Sequence, residues 1–365
     1  MKIAVVGGGV AGLGTAWRLG QAGATVTLFD GGVIPARGGA ATWASGGMIC
    51  ARLEMRDAPA PLKAFALNAR AAWPGFAGEL ARKAQTETGY VERGALHAVF
   101  VGEPFPEPGE GVELIDANAA RALEPGLAPD LRGASWAQGE AHVDPRWLAL
   151  ALVRACRAAG VTFAPGTRVL RLAPHGDGVG GVVTDKGLLR FDHVVLAAGA
   201  WTSELLAASD LPGPRLRPVK GQMLSLAGGA APPMSRLVWT PGCYIIPHAD
   251  GHILIGATQE ETGFDTGLDH AAIDRLKDHA VRAVPALAEL PEIERFAGLR
   301  PASDDGLPLL GGVGVEHLTL ASGQFRNGIL LAPLIADAAA QHALENRLPP
   351  VARPFTAARF TVAAA

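Results

Sequence analysis

Ile3-Ala4-Val5-Val6-Gly7-Gly8-Gly9-Val10-Ala11-Gly12-Leu13-Gly14 runs from an apolar strand through a glycine turn into a helix. The helix is expected over Val10 to Gln21, and a second strand over Thr25 to Phe29 ends at Asp30. Gly7, Gly9 and Gly12 carry the GxGxxG spacing of a dinucleotide turn, here in the strand–turn–helix setting the motif requires. Gly7 permits the tight turn, Gly9 lets backbone approach a pyrophosphate, and Gly12 lets helix and strand close up. The helix start adds free N–H groups and a partial positive charge for phosphates. Asp30 suits ribose hydroxyls, and its charge disfavours a 2′-phosphate. The fingerprint does not separate NAD from FAD, since both contain the adenosine diphosphate half.

The rest of the chain supplies material for a large core. It has 365 residues, 49% of them hydrophobic and 18% charged, with a net charge of −3. About two domains are expected, and disorder is excluded as a general description. With no basic bias, nucleic acid is an unexpected partner. Cys50, Cys156 and Cys243 stand far apart without CxxC or a histidine at ligand spacing, so neither disulfides nor a metal site is expected. No signal peptide is read, and no run reaches ~18 apolar residues, so a cytoplasmic setting without a membrane span is expected.

Further along, a helical pattern covers Pro59 to Thr88, and Asp144 to Gly160 has a capping residue, Pro145 in the first turn and a glycine stop. Short strands follow at Val161 to Phe163, Arg168 to Leu172, Gly181 to Thr184 and Arg190 to Leu196, the last entering the small-residue bend Ala197-Ala198-Gly199-Ala200. From about Leu216 to Leu299 strands alternate with hairpin breaks such as His248 to Gly251, interrupted by a helix from Asp269 to Val284. The tail returns to a strand at His317 to Leu320 and a long helix from about Gly328 to Glu345. Nucleotide-type signals at start, middle and end, with antiparallel texture between, predict two interleaved domains in an α/β protein.

Thr42-Trp43-Ala44-Ser45-Gly46-Gly47-Met48, Lys220-Gly221-Gln222-Met223, Tyr244-Ile245-Ile246-Pro247 with Ile255-Gly256-Ala257-Thr258, Gly298-Leu299-Arg300-Pro301 and Gly323-Gln324-Phe325-Arg326-Asn327-Gly328-Ile329-Leu330 occur in that order. In these stretches the chain resembles the D-amino acid oxidase family, most nearly the glycine oxidases of the thiamine-biosynthesis type. The resemblance implies a Rossmann-like FAD-binding domain (1–83, 142–214 and 295–365) interleaved with an α+β substrate domain on a mainly antiparallel sheet (84–141 and 215–294). It also implies noncovalent FAD and homo-oligomeric, often tetrameric, assembly.

Carried over by position, the cofactor residues are Gly7, Gly9, Val10, Ala11, Gly12, Asp30 and Gly31 for the ADP half and Ala41, Thr42, Gly46, Gly47 and Met48 along the flavin. Val169 stands at the adenine, and Gly199 lies in the second bend. Gln324, Phe325, Arg326, Asn327, Gly328, Ile329 and Leu330 stand under the pyrimidine end. Arg300, Arg326 and Tyr244 match the substrate-contacting positions. The chain departs from the family in Asp30 for the commoner Glu, Gln324 for His, and a bulky Trp43.

A flavin oxidising an amino acid needs a carboxylate clamp, which the planar fork of Arg300 suits, with Tyr244 adding an O–H. A helix beginning near Asn327-Gly328 would stabilise charge on the reduced ring. Hydride leaving the α-carbon for flavin N5 needs no general base, and no Ser/His/Asp constellation is visible. The expected reaction converts glycine, sarcosine or a small D-amino acid to an imine and then an oxo acid, releasing ammonia or amine, with oxygen reduced to hydrogen peroxide. A D-amino acid dehydrogenase using another electron carrier is the alternative, and a non-catalytic flavoprotein a third reading. Each side chain also has a plainer reading: Arg300 in a structural ion pair, Arg326 serving its own loop's carbonyls, Tyr244 as packed core. His97, His142, His248, His252 and His317 are read as partnerless surface or satisfied core histidines, Met48 and Met223 as packing, and Cys50 as inert.

Overall fold

The computed structural model describes residues 1–360; the last five residues of the expected 295–365 segment lie outside the described residues. The opening unit forms as read: strand Lys2–Val6, helix Val10–Gln21, strand Thr25–Phe29. These two strands are parallel and central in a six-stranded sheet, ordered Leu309–Gly311, Leu318–Ser322, His193–Leu196, Lys2–Val6, Thr25–Phe29 and Thr162–Ala164. All pairings are parallel except that of Leu309–Gly311 with Leu318–Ser322. Such a sheet needs cover on both faces. On one face lie helices Val10–Gln21, Ala60–Ala84, Pro145–Ala158 and Ala332–Glu345, whose buried side chains form one core with Ile3, Val5, Val26 and Leu28. The other face (Ala4, Val6, Val194, Leu196) packs on an antiparallel three-stranded sheet of Val169–His175, Gly178–Thr184 and Gly187–Arg190.

A second, nine-stranded sheet is ordered Gly39–Ala40, Glu292–Ser303, Leu216–Ala227, His252–Gly256, Tyr244–Pro247, Leu237–Trp239, Ala95–Phe100, Leu131–Ala137 and Glu113–Asp116. It is antiparallel except at Leu237–Trp239 with Ala95–Phe100 and at Gly39–Ala40 with Glu292–Ser303. Helix His270–Ala283 buries Ile273, Leu276 and Ala280 against it in a separate core. Asp269 caps that helix through the Ala272 N–H, and its own N–H donates to Gln222 Oε1 at 2.7 Å, tying the cap to the sheet. The architecture is therefore α/β with parallel and antiparallel sheets, as expected. The expected boundary at 295 falls inside the strand Glu292–Ser303, which pairs with Leu216–Ala227 along its length.

Local readings shift in three places. The strand expected over Arg190 to Leu196 is two strands, Gly187–Arg190 and His193–Leu196, which join different sheets. The Pro59 to Thr88 helix spans Ala60–Ala84, with Gln85 in the left-handed conformation as its stop. The C-terminal helix begins at Ala332 rather than Gly328. Residues Asn327 to Leu331 form a turn, in which the Leu331 N–H donates to the Asn327 carbonyl.

Candidate active site

A cavity of ≈ 630 Å³ runs from the glycine turn to the nine-stranded sheet. Its volume is that of a cofactor site. At one end Gly7 (φ +116) faces the second small-residue bend so closely that a Cβ would lie 2.3 Å from the Ala197 carbonyl oxygen. A Cβ on Gly12 would lie 1.9 Å from the Gly7 oxygen, so helix and turn touch backbone to backbone. Gly12 therefore acts through packing and does not line the cavity. The helix at Val10 has neither a side-chain cap nor an acidic residue in its first turn, leaving its end electropositive. Asp30 braces this end: its carboxylate accepts from the Gly8 N–H at 2.9 Å and the Gly32 N–H at 2.8 Å. Thr42 Oγ accepts from the Val10 N–H at 2.9 Å, joining the loop at 41–48 to the helix start.

Gly9, Val10, Ala11, Asp30, Gly31, Ala41, Thr42, Gly46, Gly47, Met48, Val169 and Gly199 all line the cavity. Two of the loop glycines are required by neighbours. A Cβ on Gly47 (φ +76) would sit 1.8 Å from the Val143 oxygen, and one on Gly46 2.8 Å from the Tyr244 ring. Of the turn at 324–330, Gln324, Phe325, Arg326, Gly328 and Ile329 line the cavity, while Asn327 and Leu330 do not. Leu330 is buried in the helical core and its carbonyl accepts from Trp73 Nε1. Asn327 is likewise buried. The helix start expected at Gly328 is displaced to Ala332, so the cavity wall here is a turn and not a helix end.

At the far end Arg300, Tyr244, Arg326 and Glu54 converge. Arg300 projects from Glu292–Ser303, and its guanidinium lies against the neighbouring strand because residue 221 is glycine; a Cβ there would be 2.3 Å from Nη1. Nη1 donates to the carbonyls of Thr258 (3.1 Å) and Lys220 (3.3 Å). Among the described residues no carboxylate lies within 4.0 Å of this guanidinium. Burial lowers Arg300 from the usual arginine range, partly offset by Tyr244. Burial also raises the Tyr244 phenol, against the pull of Arg300. Tyr244 O–H points to the Met223 sulfur at 3.7 Å. The structural ion pair considered for Arg300 is thus not formed. Arg326 is different: its Nη2 lies 3.2 Å from Glu54 Oε1 and its guanidinium sits over the Trp239 ring at 5.9 Å.

Glu54 was not legible in the sequence. It comes from the four-residue helix Ala51–Glu54, and its carboxylate is buried. Burial pushes its pKa up to about 7, against Arg326 and Arg300. Oε1 is close to Arg326 but out of hydrogen-bond alignment. Nε2 of Gln324, also buried, has no acceptor among the described residues. A flavin fits this donor set: backbone N–H groups and a helix end for a pyrophosphate, glycines leaving room along its length, and a lone amide donor from Gln324 at the cavity wall.

A family model described as DAO, FAD dependent oxidoreductase, matches residues 2–342. The chain belongs to this FAD-dependent oxidoreductase family. Its cofactor is FAD. The chain is 38% identical over 360 residues to a glycine oxidase of Pseudomonas aeruginosa, covering 92% of this chain and 94% of that protein. It is 33% identical over 364 residues to a bifunctional protein ThiO/ThiG of Synechocystis, covering 98% of this chain and spanning 54% of that protein's length. The crystal structure of glycine oxidase from Geobacillus kaustophilus superposes with a TM-score of 0.87 at 30% identity, covering 97% of each chain. Among the described residues no helix is long and apolar enough to cross a membrane.

Proposed function

We propose that this enzyme oxidatively deaminates a small amino acid, with glycine, sarcosine or a small D-amino acid as substrate and oxygen as acceptor. FAD, when bound, supplies the two-electron acceptor for the hydride of the α-carbon. The observation that carries the reading is Arg300: a buried guanidinium in the cofactor cavity that donates to two carbonyls and neighbours Tyr244, with no carboxylate within 4.0 Å among the described residues. A carboxylate entering that end gains charge-assisted bonds to a fork that has no anion of its own. Tyr244 O–H, which lies 3.7 Å from the Met223 sulfur and beside Arg300, would donate to the same carboxylate. The Arg326–Glu54 pair closes the other side of this end, which favours a short substrate. Gln324 Nε2 is a donor for the cofactor's polar edge, and the glycine turn with Asp30, Thr42 and the Ala197–Gly199 bend holds the ADP half.

The division into a cofactor part (1–83, 142–214, 295–365) and a substrate part (84–141, 215–294) belongs to the same proposal, supported by the strand content of the two sheets. So do the individual cofactor and substrate residues and homo-oligomeric assembly, which rest on the family resemblance, and a cytoplasmic setting, which rests on cysteine usage and the reading of no signal peptide. Anaerobic titration with glycine, sarcosine, D-alanine and D-proline, followed by flavin absorbance, tests the substrate. Bleaching led by glycine or sarcosine is expected, and oxygen uptake then separates an oxidase from a dehydrogenase. Arg300→Ala should weaken the glycine-type substrate by ~2–5 kcal/mol in apparent binding, because it leaves the carboxylate unpaired. Unchanged affinity in that variant would refute the clamp.

A further inference from the structure

Nothing in the order of residues groups His248 and His252, four residues apart around the His248 to Gly251 hairpin, with Asp144 at the start of a distant helix. The structure brings them together. The donor atoms of Asp144, His248 and His252 all lie within 4.8 Å of one another. Asp144 Oδ2 is 3.9 Å from both His248 Nδ1 and His252 Nε2. Asp144 Oδ1 is already used, capping the helix through the N–H groups of Arg146 and Trp147, so Oδ2 is the oxygen left to face the rings.

We propose that Asp144, His248 and His252 form a site for a divalent transition-metal ion of the zinc class, with two nitrogens, one carboxylate oxygen and a water completing a tetrahedron. Three features beyond proximity point to a ligand. His248 is buried, and neither of its ring nitrogens has a hydrogen-bond partner among the described residues. A buried imidazole left without a partner is costly, and a bound ion would relieve it. Second, the other nitrogen of His252 is engaged: Nδ1 meets Asp250 Oδ1 at 2.5 Å. That carboxylate fixes the tautomer with the proton on Nδ1 and leaves the Nε2 lone pair free, as in a metal-bound histidine; the ring stacks on that of His248 with centroids 4.5 Å apart, so one ring must turn to bring both lone pairs onto a common ion. Third, His252 is partly open to solvent while His248 and Asp144 are enclosed, which gives an entry path. Bonds of ~2.0–2.1 Å put tetrahedral donors roughly 3.4 Å apart, so the two 3.9 Å gaps to Asp144 must close by about half an ångström and the pair of histidine nitrogens, within 4.8 Å, by up to about 1.4 Å. His142, whose ring centroid lies 5.7 Å from that of His248, packs beside it as a wall.

An ion here would join the hairpin of the nine-stranded sheet to the start of helix Pro145–Ala158. The latter is bonded to the flavin loop, where the Val143 N–H donates to the Gly47 carbonyl at 2.8 Å. The site stands apart from the substrate end and does not depend on which amine is oxidised.

The test uses the FAD-loaded full chain, stripped with a chelator and dialysed against Zn2+ alone, with bound metal measured by atomic emission. One zinc per chain is expected at about 10 µM free ion, with a higher thermal midpoint for the loaded protein. His252→Gln should lower affinity at least ~100-fold and abolish the midpoint shift. Asp250→Asn, which removes only the orienting carboxylate, should lower it ~10–100-fold. The exposed His279→Gln should leave it unchanged, and retained flavin absorbance confirms that each variant is folded. Substoichiometric zinc in the parent protein, or full binding by His252→Gln, overturns the proposal.

Discussion

Glu54 is the side chain on which the substrate end is most exposed to pH. Its folded pKa of about 7 lies above the ordinary value of 4.5, and burial is the main cause. A carboxyl raised in the folded state binds its proton more tightly there than in the unfolded chain. Its contribution is therefore fully present below about pH 4.5 and is lost as pH rises through about 7. The loss is on the order of 3 kcal/mol, an upper figure for so enclosed a group. Glu54→Gln removes the titration, so in chemical denaturation the variant should gain on the parent progressively between about pH 5 and about pH 8. A gap between the two that stays flat across that range would mean that Glu54 ionises normally. Arg300 and Tyr244 could be read from the chain because each sits in a run of distinctive neighbours, Gly298 to Pro301 and Tyr244 to Pro247. Glu54 could not: a glutamate in Ala51–Glu54 carries no local mark, and its burial arises only where that short helix meets Arg326 across the fold. The grouping of His248 and His252 with Asp144 is hidden in the sequence for the same reason, since Asp144 lies about a hundred residues earlier in the chain.

At the level of the element, legibility follows the strength of local stop and start signals. Helices Val10–Gln21 and Pro145–Ala158 were placed closely because a glycine turn begins the first, while Asp144 and Pro145 begin the second. For the C-terminal helix Gly328 looks like a boundary, but the chain first makes the Asn327 to Leu331 turn and begins the helix four residues later, with Pro333 in its first turn. The glycine turn itself makes a sharp prediction. A methyl on Gly12 would sit 1.9 Å from the Gly7 carbonyl oxygen, a backbone atom that no rotamer change can move. Gly12→Ala must push the helix away from the glycine turn at the end of the cavity. It should cost ~1–3 kcal/mol or more of stability and yield protein with most of its flavin lost. Gly23→Ala is the control for a stability loss without close approach, since that glycine, unlike Gly12, has positive φ (+84) and has nothing within 4 Å of a Cβ. Gly23→Ala should fold less stably yet stay yellow; equal flavin loss in both would remove the close-approach argument.

The whole molecule is organised by chain crossings that sequence texture indicated but did not locate. The Gly39–Ala40 strand leaves the nucleotide region to pair with Glu292–Ser303, and Glu292–Ser303 carries Arg300 back toward the turn at Gln324 to Leu330. Both sheets therefore wall one cavity, the six-stranded sheet through Gly7 and Ala197 and the nine-stranded sheet through Tyr244 and Arg300. A ligand bound there holds the two apolar cores to each other, although their buried residues are separate. Mass action then fixes how much it can stabilise: FAD at 100 times its dissociation constant adds about 2.7 kcal/mol to unfolding. If the cores unfold together, that increment must appear equally in both. Hydrogen exchange of apo and FAD-loaded protein should then show the same gain in protection free energy for amides in His193–Leu196 of the six-stranded sheet and His252–Gly256 of the nine-stranded one. A gain confined to His193–Leu196 would mean that the substrate-side sheet opens on its own, with the cofactor anchored to the nucleotide half alone.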